Sequence, residues 1–588
     1  MAPIAIKVKH QGKVHDLEID TDSTGEELKI QLYSLTNVEP ENQKVLAKKM
    51  VKDDTPLSFL KPGMTITLMG SPSAEVVMDV PREKMKFAED MTEAELAQQA
   101  GAIPAGLQNT GNTCYANATL QTLRSIPELQ QELIGYKPSA SSQIGPSSSM
   151  FTAEQLAQVG IGGLGGGNDL TSALRDLYKQ MGDTQQGFPP IMFLTTLRQK
   201  FPQFAEKAKN GHGYAQQDAE EVWTQMIQTL HTSLKLQDGQ EPQFKSWIDK
   251  YMGGKFEVTT TCDDAPEEDS QTQTEEFHDL KCNIKGDTNH LSEGIRIALN
   301  EKLEKNSPTL GRDATYTRQS RISRLPKHLP IHLIRFFWRK DTQKKAKILR
   351  KVTFQHEIDV TEFCTEELRK KLVPVRDRMR EVRKEEEDVE RAKKRQKRMR
   401  KEANDAEATG GKVRSDEPMQ KLKEKERERE TKATGPDTTA ELAKEKSVAS
   451  GKDTEMGGTE EVFKTDEEIE KERAESILAA KKELLKAVHP DLKNDSTANQ
   501  TGLCELRAVV THQGSSADSG HYTAYVKKAA PPGKAEDGKW WWFNDEKVQE
   551  VESEKVETLA GGGESHSALI LLYRAVELPM LPEDGAKA

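Results

Sequence analysis

The chain has 588 residues, with 85 Lys+Arg against 96 Asp+Glu and a formal net charge of −11. That acidity argues against a protein that coats nucleic acid, and no apolar run approaches the ~18 residues a membrane-spanning helix needs. Charged residues reach 31% and hydrophobic ones only 35%, but the imbalance is local: 52 of the 100 residues 381–480 are charged, and Phe463 is their only aromatic.

Outside that window the composition is that of an ordinary globular chain. The first residues, MAPIAIKVKHQGK, lack the long apolar stretch of a secretory signal. Five cysteines (114, 262, 282, 364 and 504) do not make a disulfide framework. A soluble, intracellular protein with reduced thiols is expected.

Residues 3–70 read as a compact α+β unit. Ile4, Ile6 and Val8 alternate with Ala5 and Lys7, Gly12-Lys13 signals a turn, and Val14 to Ile19 suggests a second strand. Thr24 to Thr36 carries Leu28, Ile30, Leu32 and Leu35 in a helical pattern, with Glu26 and Glu27 near its positive end. Val45-Leu46 and Ile66 to Met69 supply two further short strands. The order and lengths of these pieces resemble ubiquitin and imply a β-grasp domain over 1–75. The unit runs on as Met69-Gly70-Ser71-Pro72, without a Gly-Gly end to conjugate. The resemblance therefore implies a fixed docking domain, with Leu46, Thr67 and Met69 at the positions of ubiquitin's binding face.

Residues 76–104 read as a linker. A Ser/Gly-rich stretch over 138–168 lacks the Lys-Ser/Thr of a phosphate loop and reads as a surface loop. The 376–490 window alternates acidic and basic blocks without heptad apolar positions, so a coiled coil is not expected. Helical flanks over 376–402 and 465–488, with a disordered middle over 403–462, are expected instead.

The strongest local signal is Gly106-Leu107-Gln108-Asn109-Thr110-Gly111-Asn112-Thr113-Cys114. A Gly/Asn-rich turn delivers Cys114 to the start of a segment with apolar Leu120, Leu123 and Ile126. A thiolate at a helix N-terminus is stabilised by the positive dipole end and by free N–H groups. The same groups can hold the oxyanion of an attacked carbonyl, and Asn109 can add a side-chain donor. Far along the chain, Gly520-His521-Tyr522 opens an apolar strand, and Trp540 to Phe543 leads into Asn544-Asp545. A Cys, then a His, then an Asn/Asp is an ordered nucleophile, base and orienter.

The blocks around Cys114 and His521 resemble the Cys and His boxes of the ubiquitin-specific protease family. Gln216-Gln217-Asp218-Ala219-Glu220-Glu221, Ser323 to Phe336 and Ser567 to Tyr573 match three further family blocks in the same order. The resemblance implies an α+β, papain-like cysteine protease domain over 105–576, with the 376–490 insertion inside it and a tail over 577–588. It makes Cys114 the nucleophile, His521 the general base and Asn109 the oxyanion donor. Either Asn544 or Asp545 would orient His521. Asp218, Glu221, Gln217, Gly520 and Tyr522 would contact ubiquitin.

Many family members bind zinc through two CxxC pairs. Here only Cys262, Cys282 and His278 occupy the matching stretch, so no structural zinc and no cofactor are expected. A ubiquitin-like domain joined to this protease resembles the proteasome-associated members of the family. That implies docking on the proteasome regulatory particle and release of ubiquitin from proteasome-bound substrates. It also implies activation through two cleft loops, here 336–347 and 513–520. The implied partners are ubiquitin, ubiquitinated proteins and the proteasome, with no nucleic acid or membrane. A monomer when free, in cytoplasm and nucleus, is expected. A non-catalytic ubiquitin and proteasome binder is the competing reading; it leaves the Cys, His and Asn set unexplained.

Overall fold

The computed structural model describes residues 4–408 and 466–581, apart from 11–12, 21–22, 37, 48, 71–90, 100, 139–168, 209–212, 237–242, 340–343, 517–518, 531–535 and 564. The chain divides into two compact units, Met1–Asp90 and Met91–Ala588. The Ser/Gly-rich stretch and most of the expected disordered middle lie outside the described residues.

The first unit is a five-stranded β-grasp sheet. Its strand order is Lys13–Ile19, Ile4–His10, Thr65–Met69, Lys44–Leu46 and Met50–Val51, with the second and third strands parallel. The alternation read at Ile6 and Val8 is real: both are buried, as are Val45, Ile66 and Leu68. The helix Gly25–Thr36 lays Leu28 and Leu32 on this face. Ile30 and Leu35, counted with them in the helical pattern, point to solvent because only the i, i+4 pair shares the inward stripe.

Residues 91–104, expected as linker, belong to the larger unit. Thr92 caps a short helix, Glu93–Ala97, through a reciprocal capping box with Glu95. Gln185 Nε2 donates to the carbonyl of Leu96 at 3.1 Å, which fastens this helix to the body.

The larger unit is built on a mixed sheet buried on both faces. Its path runs Lys547–Val551, Trp540–Asn544, Ser519–Lys527, Leu503–Ser516, Ser567–Ala575, His328–Ile334 and Leu280–Asn283, with Glu357–Asp359 pairing beside Leu503–Ser516. Side chains alternate between two apolar cores. Ala508, Val510, Tyr522, Ala524, Ile570 and Leu572 pack under the helices that follow Cys114. Val509, Tyr525, Leu571 and Tyr573 enter a second core on the other side. A register shift between Leu506 and Ala508 lets Leu506 join that second core despite its even number. A separate four-stranded sheet, in the order Gln271–Phe277, Gly254–Cys262, Asp313–Arg324 and Asn300–Asn306, projects from this body.

The charged insertion is rooted in the second core. One helix runs Glu366–Ala408 and a second Asp466–Ala487. Lys481 pairs with Glu386 at 2.7 Å and Arg378 with Glu483 at 3.8 Å, so the two helices are antiparallel. The expectation of no coiled-coil pattern needs correction at the root. Leu368, Leu372, Val375, Met379 and Val382 are buried at alternating spacings of four and three, and Leu484 packs into the same core. The pattern was hidden because it begins before residue 376 and fades into charge after Val382.

This division predicts two different outcomes. Leu372→Ala empties a buried site and should cost about 2–5 kcal/mol in urea unfolding of the larger unit. Replacing 391–475, beyond the Glu386–Lys481 pair, by a short Gly/Ser linker should leave its melting temperature within about 2 °C.

Candidate active site

Cys114 opens the helix Cys114–Arg124, which is buried through its first ten residues. Thr113 precedes it but makes no side-chain cap, so the first N–H groups of the helix stay available. Instead Thr113 accepts from Thr110 N at 3.1 Å, and Asn109 Oδ1 accepts from Gly111 N and Thr113 N, each at 3.1 Å. The Gly/Asn-rich turn is thus knitted by its own side chains. The backbone of Tyr522 and the N–H groups of Tyr115 and Cys114 approach the thiol. Burial dominates over them and pushes its pKa up to about 11, with the Asp545 carboxylate adding to the rise. Cys114 rests as a neutral thiol.

His521 lies on Ser519–Lys527, paired through Ala524↔Phe543 with the strand that ends at Asn544. Nε2 of His521 is 2.6 Å from Asn544 Oδ1. An amide oxygen can only accept, so Nε2 carries the proton and Nδ1 keeps the lone pair a base requires. Asp545 Oδ2 stands off at 4.0 Å from the same nitrogen.

Asp545 is occupied elsewhere. Its Oδ1 accepts from Asn117 Nδ2 at 2.8 Å and its Oδ2 from Asn109 Nδ2 at 3.0 Å, while its carbonyl accepts from Leu107 N at 3.0 Å. It sits at φ 53°, the left-handed region where Asp and Asn are the favoured non-glycine residues. Sequence reasoning left the division between Asn544 and Asp545 open and passed over Asn117. The signal was there: an amide one helical turn after Cys114, on the side of the helix that also carries the thiol, needs a polar partner once buried.

Other residues singled out from sequence are placed differently. Asp218 caps the helix Ala219–Ser233 by accepting from Glu220 N at 3.0 Å and is only 9% exposed. Glu221 is half-buried in the first turn, and its charge is felt at the Tyr115 hydroxyl. Gln217 is half-buried just before the cap. Tyr522, expected at the ubiquitin surface, is buried, because strand alternation turns its ring inward against His512. Gly520 has φ +126°, and a Cβ there would lie 2.1 Å from Gln513 O. Only glycine fits there. Cys262 and Cys282 belong to separate apolar clusters, and His278 joins neither.

The geometry is that of a thiol hydrolase, and comparison with known proteins agrees. Residues 105–573 match the ubiquitin carboxyl-terminal hydrolase family model, and residues 4–73 match the ubiquitin family. Ubiquitin carboxyl-terminal hydrolase 6 of Schizosaccharomyces pombe is 38% identical over 586 residues, covering 98% of this chain and all of its own. Ubiquitin carboxyl-terminal hydrolase 7 of Arabidopsis thaliana is 33% identical, covering 97% and 99%. Ubiquitin carboxyl-terminal hydrolase 14 of Caenorhabditis elegans is 28% identical, covering 98% and 94%. The chain belongs to the ubiquitin carboxyl-terminal hydrolase family.

It is a thiol-dependent, ubiquitin-specific protease with an N-terminal ubiquitin-like domain, and ubiquitin and ubiquitinated proteins are its partners. In this hydrolase the described residues of the expected cleft loops form strands, while 340–343 and 517–518 lie outside the described residues. The first is a β-hairpin, Phe336–Arg339 with Lys344–Lys347. The second continues two strands, with Gln513 opposite His521 and Ser516 opposite Ser519. The two are tied together: Lys347 Nζ donates to His512 O at 2.7 Å, and the Phe336 ring meets His512 edge-on. Burial lowers the Lys347 ammonium to about 8, with Arg335 adding to the effect.

The hydrolase should show its neutral thiol in alkylation. With the Cys114 pKa at about 11, the thiolate fraction grows about tenfold per pH unit well below it, so iodoacetamide labelling should still climb between pH 8 and 10. Asp545→Asn keeps the turn but removes a charge that raises this pKa, so labelling at pH 8 should quicken. An unchanged rate would show that the carboxylate does not reach the thiol.

Proposed function

We propose that Cys114, His521 and Asn544 carry out the hydrolysis, and that the ubiquitin-like domain docks the enzyme on the proteasome regulatory particle. There it removes ubiquitin from bound substrates. The observation that carries the chemistry is the 2.6 Å contact between His521 Nε2 and Asn544 Oδ1, which leaves Nδ1 as the basic atom. Nδ1 takes the proton of Cys114 Sγ, and the thiolate attacks the carbonyl carbon of ubiquitin's terminal glycine. The tetrahedral oxyanion is held by N–H groups at the head of the Cys114 helix and by the free hydrogen of Asn109 Nδ2. As the intermediate collapses, the C–N bond breaks and the imidazolium gives its proton to the leaving lysine amine. His521 then deprotonates a water, which attacks the thioester and frees ubiquitin and the thiol.

Glu221 is the accessible acid for the arginines of ubiquitin's tail, whereas Asp218 acts through the helix it caps. The family resemblance assigns Gly520 and Gln217 to the same contact with ubiquitin. Proteasome docking is supported by the outer face of the ubiquitin-like sheet. Leu46 and Met69 are 46% and 54% exposed, Thr67 is the register partner of Leu46, and Met50, its other partner, is 54% exposed. Three large apolar side chains on one sheet face are unusual for a surface without a partner. Activation on docking is supported by the Lys347–His512 tie and the neutral thiol, which describe an enzyme held short of its reactive form. Such docking would distribute the enzyme with proteasomes, in cytoplasm and nucleus.

Hydrolysis of a fluorogenic ubiquitin C-terminal substrate, with and without purified proteasome, tests both halves. Cys114→Ala should abolish turnover in either condition, and Asn109→Ala should lower kcat about 100-fold. Leu46→Arg with Met69→Arg should remove co-migration with the proteasome and the stimulation it gives, leaving the basal rate unchanged. Retained co-migration would refute the docking assignment without touching the catalytic one.

A further inference from the structure

A cluster of ligating side chains lies outside the catalytic machinery. His231 comes from the last turn of the helix Ala219–Ser233, Asp249 from the short helix Trp247–Tyr251, and His278 from the link between the strands Gln271–Phe277 and Leu280–Asn283. Their Nε2, carboxylate and Nε2 atoms lie within 4.8 Å of one another. Asp249 Oδ1 is 3.0 Å from His231 Nε2 and 3.1 Å from His278 Nε2. The two imidazoles meet edge to face with ring centres 5.5 Å apart, and each Nε2 reaches the same Asp249 carboxylate oxygen.

We propose that His231, Asp249 and His278 form a binding site for a zinc-class divalent cation, which links the helical body to the projecting four-stranded sheet. Bonds of about 2.0–2.1 Å to zinc place neighbouring ligand atoms of a tetrahedron about 3.3 Å apart, close to the two separations from Asp249, while the third pair lies within 4.8 Å. Two imidazoles and one carboxylate are a donor set for zinc or a neighbouring transition ion, and not for calcium or magnesium, which take oxygen ligands. The three groups come from three elements, and binding would fix their mutual positions. The side chains are 38%, 14% and 32% exposed, so an ion can enter and the site is not sealed.

A fourth ligand position has room. A cavity of about 30 Å³, lined in part by Asp249, Glu276, His278 and Arg324, adjoins the cluster and is large enough for one water. Lys245, Lys255 and Arg324 also line this cavity as cations that would oppose a metal, and Arg324 directs its charge elsewhere. Its Nε donates to Asp495 Oδ2 at 2.9 Å, and its other nitrogens donate to the carbonyls of Asp249, Lys250 and Gly253. The site is distinct from the cysteine pairs that bind zinc elsewhere in the family, because Cys262 and Cys282 take no part.

The test uses the full-length, untagged, chelator-treated protein carrying Cys114→Ala, since Cys114 and His521 could themselves capture zinc. The other four cysteines are free but buried, and do not compete in the folded protein. Calorimetric titration with Zn2+ should find one equivalent bound, and Co2+ should give the visible absorption of a low-coordinate nitrogen–oxygen site. His231→Ala and His278→Ala should each weaken binding at least about tenfold. Zn2+ should raise the melting temperature of the parent and not of these variants. Circular dichroism and melting without metal show whether each variant folds, and Asp249→Asn, which keeps shape, serves if an alanine variant does not. No bound equivalent in the parent, or equal affinity in His278→Ala and Asp249→Asn, would overturn the proposal and leave the cluster as hydrogen bonds alone.

Discussion

The active site depends on one turn after the strand Trp540–Asn544. Asp545, in the left-handed conformation, receives Asn109 and Asn117 on its two carboxylate oxygens and Leu107 on its carbonyl. Gly106 and Gly187 have no side chains where Glu546 passes, and a Cβ at Gly106 would lie 2.4 Å from its carbonyl oxygen. Backbone, glycine and carboxylate together press the segment before Cys114 onto the segment that carries Asn544. Cys114 and His521, the proposed nucleophile and base, stand about 400 residues apart in sequence, and this turn closes the distance. Charge-assisted bonds to a partly buried carboxylate are stronger than neutral ones, so the contact can fix geometry as well as proximity.

The sheet behind that turn explains why a large charged insertion is tolerated. Because alternate residues feed two cores, one face is committed to the Cys114 helix and the catalytic side. The other receives the root of the insertion. Leu372, Val375, Met379 and Val382 anchor the helix pair on that second face, and the charged part extends beyond it. Disturbance in the charged part has no direct path to the cleft, since the intervening layer is the sheet itself.

What could be read from sequence follows the range of each interaction. The strands of the ubiquitin-like unit and the Cys, His and Asn boxes were legible because period-two alternation and short motifs are local signals. The partition between Asn544 and Asp545 was not, because it depends on which oxygen meets an imidazole after the chain has folded. Tyr522 was placed on the wrong side of its strand because motif matching ignores parity. The Asp218 carboxylate was read as a ligand, although a helix start following it is an ordinary reason for an aspartate. The helix seam from Leu368 to Val382 was cut by a boundary drawn on charge. His231, Asp249 and His278 share no motif at all, and only their convergence makes them a group.

The resting thiol sets what the proposed activation would have to supply. Raising Cys114 from its ordinary 9.0 to about 11 makes the thiolate cost about 3 kcal/mol more than in an unperturbed cysteine. Burial is the first cause, and it acts on the charged form alone. Substrate entry or a shift of the Phe336–Lys347 hairpin can offset it by turning donors toward the sulfur. The coupling between two sites in one protein typically amounts to 1–3 kcal/mol, the same size as this penalty. The Lys347 tie lies where such coupling would act, since it joins the first hairpin to the strand that runs into the His521 hairpin. The proposed activation would act on the sulfur and leave the base alone, because His521 and Asn544 are already hydrogen-bonded at 2.6 Å.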